Sequence, residues 1–217
     1  MKTGFAVLFD LDGVIFDSER AVLAVWRELA EELGLEEIEP VFRRCVGTNK
    51  TRTEEIFREA FPGLDFPRFD AAARRRFRER WGGGRLPVKT GAREILQALR
   101  RRGIPLALAS STDSGVVRQE LDEAGLLDFF DAVVGGDQVS RSKPDPEIFL
   151  RAAERLGAEP EACFVVEDSF NGIRAALAAG MRPLMVPDLL PPDGEMARLA
   201  EAILPDLAAA ERYLAEI

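Results

Sequence analysis

Short runs of almost unbroken apolar residues alternate along the chain with longer stretches in which apolar positions recur every three or four residues. The runs at 5–9, 104–109, 132–134, 163–166 and 183–186 are rich in Val, Leu, Ile, Phe and Ala. They lack the in-out alternation of a half-exposed strand, so they predict parallel strands covered on both faces. Helical patterns at 92–102, 116–124, 147–156 and 172–179 fill the gaps, each followed by a glycine that suits a helix C-terminus: Gly103, Gly125, Gly157 and Gly180. Strand and helix in alternation predict an α/β fold, a doubly wound parallel sheet of the Rossmann-like kind with right-handed crossovers.

One stretch breaks the rhythm. Between the first strand and Ile104 no convincing strand occurs, and three helical patterns stand instead. Val22, Leu23, Trp26, Leu29, Ala30 and Leu33 form a stripe ending at Gly34. Thr51 and Glu54 have the spacing of a capping box opening a second helix. Phe69, Ala73, Phe77 and Trp81 recur every fourth residue on a third, which stops at Gly82-Gly83-Gly84. The expected organisation is a catalytic core of residues 1–16 and 88–217 with a helical domain, 17–87, inserted after the first strand.

Composition narrows the chemistry. At 217 residues, 47% hydrophobic and 31% charged, the chain can bury a substantial core. No apolar run approaches the ~20 residues needed to span a bilayer, and no signal peptide is evident. A cytoplasmic protein without a membrane partner is the expectation. A net charge of −9 argues against nucleic acid, whose phosphates recruit basic surfaces. Cys45 and Cys163 give no disulfide framework and read as core packing. The absence of histidine removes Ser-His-Asp and Cys-His catalysis and the usual zinc sites. Any metal site must be built from oxygen ligands, which points to magnesium, calcium or manganese.

Ligands in open α/β sheets bind beyond the carboxyl ends of the strands. Asp10, Asp12 and Gly13 follow the first strand there, and Ser110, Ser111 and Thr112 the second. Ser142-Lys143-Pro144-Asp145 comes in the loop after the third, and Glu167, Asp168 and Ser169 after the fourth. With only four lysines in the chain, Lys143 carries unusual weight. Acids, hydroxyls and one lysine on a single edge suit phosphoryl transfer. A divalent cation neutralises the approach of a phosphate dianion to carboxylates, and lysine and hydroxyl donors hold its oxygens. One carboxylate can then attack phosphorus while a second, protonated one serves the leaving oxygen.

The stretches Asp10-Leu-Asp12-Gly13-Val14, LALASST, SKPDPEIF and VVEDSFNGIRAALAAGM resemble, in order and spacing, the four signature motifs of the haloacid dehalogenase superfamily. The branch most similar is the β-phosphoglucomutase and phosphoglycolate phosphatase-like group, and the insert resembles its cap. The resemblance implies Asp10 as nucleophile and Mg²⁺ ligand, and Asp12 as general acid/base lending its backbone carbonyl to the metal. Ser110, Ser111 and Lys143 match the phosphate holders. Asp168 matches the metal-binding acid, with Glu167 beside it, and Gly47, Thr48, Asn49 and Lys50 match a cap loop that meets substrate. A Mg²⁺-dependent phosphatase acting as a monomer on a small phosphorylated metabolite is the function implied. A phosphosugar mutase of the same fold is the alternative, although Val22 stands where those mutases carry a histidine. A receiver-like phosphoacceptor domain is a further alternative from another class.

Overall fold

The computed structural model describes residues 4–48 and 50–217. Its strands are β1 (Ala6–Phe9), β2 (Leu106–Ala109), β3 (Ala132–Val134), β4 (Cys163–Glu167), β5 (Arg182–Met185) and β6 (Ala202–Ile203). The helices are α1 (Ser18–Leu33), α2 (Ile38–Cys45), α3 (Lys50–Ala60), α4 (Phe66–Trp81), α5 (Ala92–Arg101), α6 (Ser114–Glu123), α7 (Glu147–Leu156), α8 (Phe170–Ala178), α9 (Met196–Leu199) and α10 (Leu207–Ala215). All strand pairs are parallel, in the order β3-β2-β1-β4-β5-β6.

Burial on both faces explains the continuous apolar runs. In β1, Val7 and Phe9 join one hydrophobic cluster, with Ile95, Leu96 and Leu99 of α5, Val117 and Leu121 of α6, and Leu214 of α10. Ala6 and Leu8 join the other, with Ile148, Phe149 and Ala152 of α7 and Ala175 and Ala176 of α8. Successive side chains of a strand point to opposite faces, so each residue of β1 serves one of two helical layers. Cys163 lies in the second of these clusters and Cys45 in the insert's own.

The register does most of the work of assembling the site. Phe9 pairs with Leu108 on one side and with Val166 on the other. The next residues, Asp10, Ala109 and Glu167, therefore emerge side by side. The chain crosses from β1 to β2 in one direction and from β4 to β5 in the other, so this point is where the winding reverses. Open α/β sheets leave a crevice for ligands at such a switch point.

The insert consists of α1 to α4 around a separate cluster in which the Trp26 ring meets Phe42, Phe57 and Phe69 edge-on at centroid distances of 5.2, 5.7 and 5.3 Å. The sequence pattern shows three of these helices; α2 is the fourth. Its buried Ile38, Val41, Phe42 and Cys45 follow helical spacing, but the acidic approach and Pro40 mask the signal. The capping-box reading is also corrected. Helix α3 begins at Lys50, so Thr51 lies within its first turn and does not cap it. Among the described residues no helix is long and apolar enough to cross a membrane.

Candidate active site

The carboxylates of Asp10, Glu167 and Asp168 lie close enough that one oxygen of each falls within 4.8 Å of the others, and all three residues are buried. Strand ends position the first two, and Asp168 follows where the chain turns into α8. Lys143 enters from the loop after β3, its ammonium donating to Asp10 Oδ1 at 2.6 Å, Glu167 Oε1 at 2.7 Å and the Ala109 carbonyl at 3.2 Å. Glu167 Oε2 accepts the Ser169 N–H at 2.7 Å, so both of its oxygens have protein partners. Glu167 therefore holds Lys143 and the turn into α8, leaving Asp10 and Asp168 better placed to meet a cation.

Asp12 points to a different set of groups. Its Oδ1 accepts from Ser18 Oγ at 2.5 Å, and its Oδ2 from Thr112 Oγ1 at 3.1 Å and Ser110 Oγ at 3.5 Å. Gly13 follows with φ +79°, and a Cβ there would come within 2.4 Å of Asp168 Oδ2. Only glycine lets the turn pass that close to the acid cluster. Ser110 is fully buried, its Oγ also accepting the Thr112 N–H at 3.0 Å, and half-buried Ser111 follows it.

Gathering acids out of water shifts their protonation. Burial pushes Asp10 up to about 7, with Lys143 opposing and Glu167 and Asp12 reinforcing. Burial, then the charges of Glu19, Glu167 and Asp10, raise Asp168 well above the carboxylate range. Burial alone would lower Lys143, but the carboxylates of Asp10 and Glu167 outweigh it and hold the ammonium charged. Once ionised, three carboxylates against one ammonium would leave about two negative charges in a buried all-oxygen donor set. That balance fits a hard divalent cation.

A pH dependence follows. An acid raised on folding contributes stability below its unfolded pKa and loses it as pH rises through the folded value. For Asp10 that window runs from 3.8 to about 7, and for Glu19, pushed up by burial and by Asp12 and Asp188, from 4.5 to about 9. Arginine-paired surface acids such as Glu28 shift downward and act below this range. With chelator, Tm should fall by several degrees (about 1–3 kcal/mol) between pH 5 and 9, and saturating Mg²⁺ should remove most of the fall. A Tm that rises over that range in chelator contradicts the assignment.

The predicted cap residues divide. Gly47, at φ +67°, packs so closely on the turn after Asp168 that a Cβ would come within 2.7 Å of Ser169 Cβ, and its carbonyl accepts from Asn171 Nδ2 at 3.4 Å. It brings the insert onto the edge of the site. Thr48 instead hydrogen-bonds within the insert, to the Cys45 carbonyl and the Thr53 hydroxyl. Lys50 pairs with Asp70 of α4 at 3.5 Å and is mostly exposed. Asn49 lies outside the described residues.

The structure also gathers groups that sequence reading passed over. Ser18 and Glu19 open α1 beside Asp12 and Asp168, and Asp188 follows β5. Glu19, Asp168 and Asp188 each offer a carboxylate oxygen within 4.8 Å of the others.

Comparison with known proteins identifies the family. The family profile described as haloacid dehalogenase-like hydrolase matches residues 6–180. The chain belongs to the haloacid dehalogenase-like hydrolases. A phosphorylated carbohydrates phosphatase of Thermotoga maritima is 37% identical over 181 residues, 81% of this chain and 82% of that one. A fructose-1-phosphate phosphatase of Escherichia coli is 32% identical over 179 residues, 81% of this hydrolase and 92% of that protein. The crystal structure of a putative β-phosphoglucomutase from Thermotoga maritima superposes with a TM-score of 0.79 at 30% identity, covering 100% of both chains. The α/β core with a helical cap is thus the architecture of this branch.

Proposed function

We propose that this hydrolase removes phosphate from a small phosphorylated carbohydrate through an aspartyl phosphate on Asp10, with Mg²⁺ held by Asp10, Asp168 and the Asp12 backbone carbonyl. Phosphoric monoester hydrolysis is the reaction class of the enzyme. The observation that carries the rest is the buried group of Asp10, Asp168, Glu167 and Lys143 at the switch point of the sheet. Mg²⁺, which the superfamily generally uses, would offset the repulsion between a phosphate dianion and these acids. The names of the relatives support a sugar phosphate as substrate. Residues 1–16 and 88–217 form the core in this reading, and 17–87 the cap. The enzyme acts as a cytoplasmic monomer.

Each residue then has a task. Lys143 and the Ser110 hydroxyl hold phosphoryl oxygens, with the Ser111 N–H beside them. An Asp10 oxygen attacks phosphorus and the ester P–O bond breaks, while Asp12 delivers a proton to the departing sugar oxygen. Asp12 next takes a proton from water, whose oxygen attacks phosphorus and frees phosphate and Asp10. The hydroxyls of Ser18 and Thr112 keep Asp12 in place for both transfers.

A mutase must shield the phosphoenzyme from water until a sugar hydroxyl arrives. Val22 packs against the hydrophobic cluster of the insert and offers no hydrogen bond for such control. With Mg²⁺, β-glucose 1-phosphate and a bisphosphate primer, free phosphate should appear faster than glucose 6-phosphate. The reverse order contradicts the phosphatase reading and supports the mutase. A screen of sugar phosphates for Mg²⁺-dependent phosphate release then identifies the substrate.

A further inference from the structure

The two segments joining insert to core run side by side: Phe16 bridges Val88 antiparallel, the Asp17 N–H donates to the Pro87 carbonyl and the Lys89 N–H to the Ile15 carbonyl, both at 2.9 Å. Where they meet, one carboxylate of the core engages both. Asp188, in the loop after β5, has a side chain 2% exposed, and its Oδ1 accepts from Lys89 Nζ at 2.7 Å and Arg20 Nη2 at 3.1 Å. Lys89 belongs to the returning segment, and Arg20 to the first turn of α1, where the outgoing segment becomes helix. The contact continues into Leu189, whose carbonyl accepts from Arg43 Nη1 of α2 at 3.2 Å and whose side chain packs against the insert's hydrophobic cluster. Across the site, Gly47 on Ser169 and Asn171 forms the opposite support.

We infer that Asp188 is a positioning residue that seats the helical insert on the core through Lys89 and Arg20, holding the cap where a sugar can be gripped. The energetics rank the partners. Arg20 is more than half exposed and is shared with Asp17 at 3.2 Å, so its pair contributes little. Lys89 is only 22% exposed, and removing it leaves a buried carboxylate with one exposed partner beside Glu19 and Asp168. The seat also explains why one of four lysines stands at this junction. Neither Lys89 nor Arg20 belongs to the machinery that handles phosphate.

The inference rests on the phosphatase reading only for its kinetic arm. The Mg²⁺-loaded enzyme and its Lys89→Met variant are compared on fructose 1-phosphate and on acetyl phosphate, which is too small to need the cap. The variant should lose about tenfold in kcat/KM on the sugar phosphate, mainly through KM, and less than about twofold on acetyl phosphate; Lys89→Arg should recover most of the loss. Adding Asp188→Asn to Lys89→Met should cost less than about twofold more on the sugar phosphate, because the two act as one contact. A structural arm stands apart from activity. Spin labels on Arg75→Cys in α4 and Glu154→Cys in α7, both exposed sites, should report a wider distribution reaching longer distances in the Lys89→Met background. Equal losses on both substrates, or an unchanged distance distribution, overturn the inference. Failure of the unmodified enzyme to hydrolyse either substrate counts against the phosphatase reading, and the distances still decide the positioning role.

Discussion

Asp10→Asn is expected to lower turnover on any phosphomonoester by about 10⁴-fold or more while leaving the fold intact. The amide keeps the shape of the side chain but is a very poor nucleophile, and it replaces one anionic ligand of the proposed metal site. The structure gives reasons for the fold to survive. Burial, against the pull of Lys143 and with the charges of Glu167 and Asp12, pushes the Asp10 carboxyl up to about 7, so its ionised form is costlier in the folded chain than in water. Lys143 keeps Glu167 as an anionic partner at 2.7 Å and the Ala109 carbonyl at 3.2 Å. Without metal at pH 8, the variant's Tm should match or exceed that of the unmodified enzyme. Steady-state phosphate release and circular dichroism melting check the two halves, and substantial retained turnover would falsify attack by Asp10.

The second large effect is selective. Asp12→Ala should slow alkyl phosphates by about 10²–10⁴-fold, the worth of general acid help to a poor leaving group. Nitrophenyl phosphate, whose leaving oxygen needs little proton help, should lose far less in its first step. The reason lies in where Asp12 sits. Only Leu11 separates it from the proposed nucleophile, yet its carboxylate accepts from Ser18, Thr112 and Ser110, while Asp10 takes the Lys143 ammonium. Two neighbouring aspartates thus have separate partners and are free to serve separate tasks. Asp12→Asn keeps one acceptor oxygen, and its NH₂ can donate to a hydroxyl that turns to accept, so it should show the same leaving-group dependence with less loss of stability than the alanine. Equal losses on both esters in that first step, read from the burst of leaving group, would rule out proton donation by Asp12 to the departing oxygen.

Much of this was legible in the sequence because a parallel sheet announces itself twice. Burial on both faces makes each central strand a short apolar run, and the winding sends the residue after each strand to one edge. Applied to β1, β2 and β4, and to the loop after β3, that rule collects Asp10, Ser110, Lys143, Glu167 and Asp168. The same rule applied to β5 leads to Asp188, three residues beyond Met185, but the proline before it and Leu189-Leu190-Pro191-Pro192 after it read as an ordinary loop. Lys89 carried a signal too, as one of four lysines, but its partner is 99 residues away and only the fold brings the two together.

Elements that leave weak patterns escaped. Strand β6 is two residues at the sheet edge, too short to show any period. Helix α2 has the right buried spacing but only eight residues, with Pro40 in its first turn. Sequence spacing also says little about where long side chains turn. Thr48 and Lys50 follow Gly47 directly, yet their polar ends find partners inside the insert, at Cys45 and Thr53 and at Asp70. Gly47 itself reaches the core because its backbone, with no Cβ, packs on Ser169.

The central claim is that phosphate passes through Asp10 on its way to water, and the stereochemistry at phosphorus tests it most directly. A sugar phosphorothioate, chiral at phosphorus through sulfur and two oxygen isotopes, is hydrolysed by the Mg²⁺-loaded enzyme in water of the third oxygen isotope. Each in-line displacement inverts phosphorus. Transfer to Asp10 followed by attack of water is two inversions and predicts inorganic thiophosphate with net retention. Net inversion, the mark of one direct displacement by water, would contradict the account.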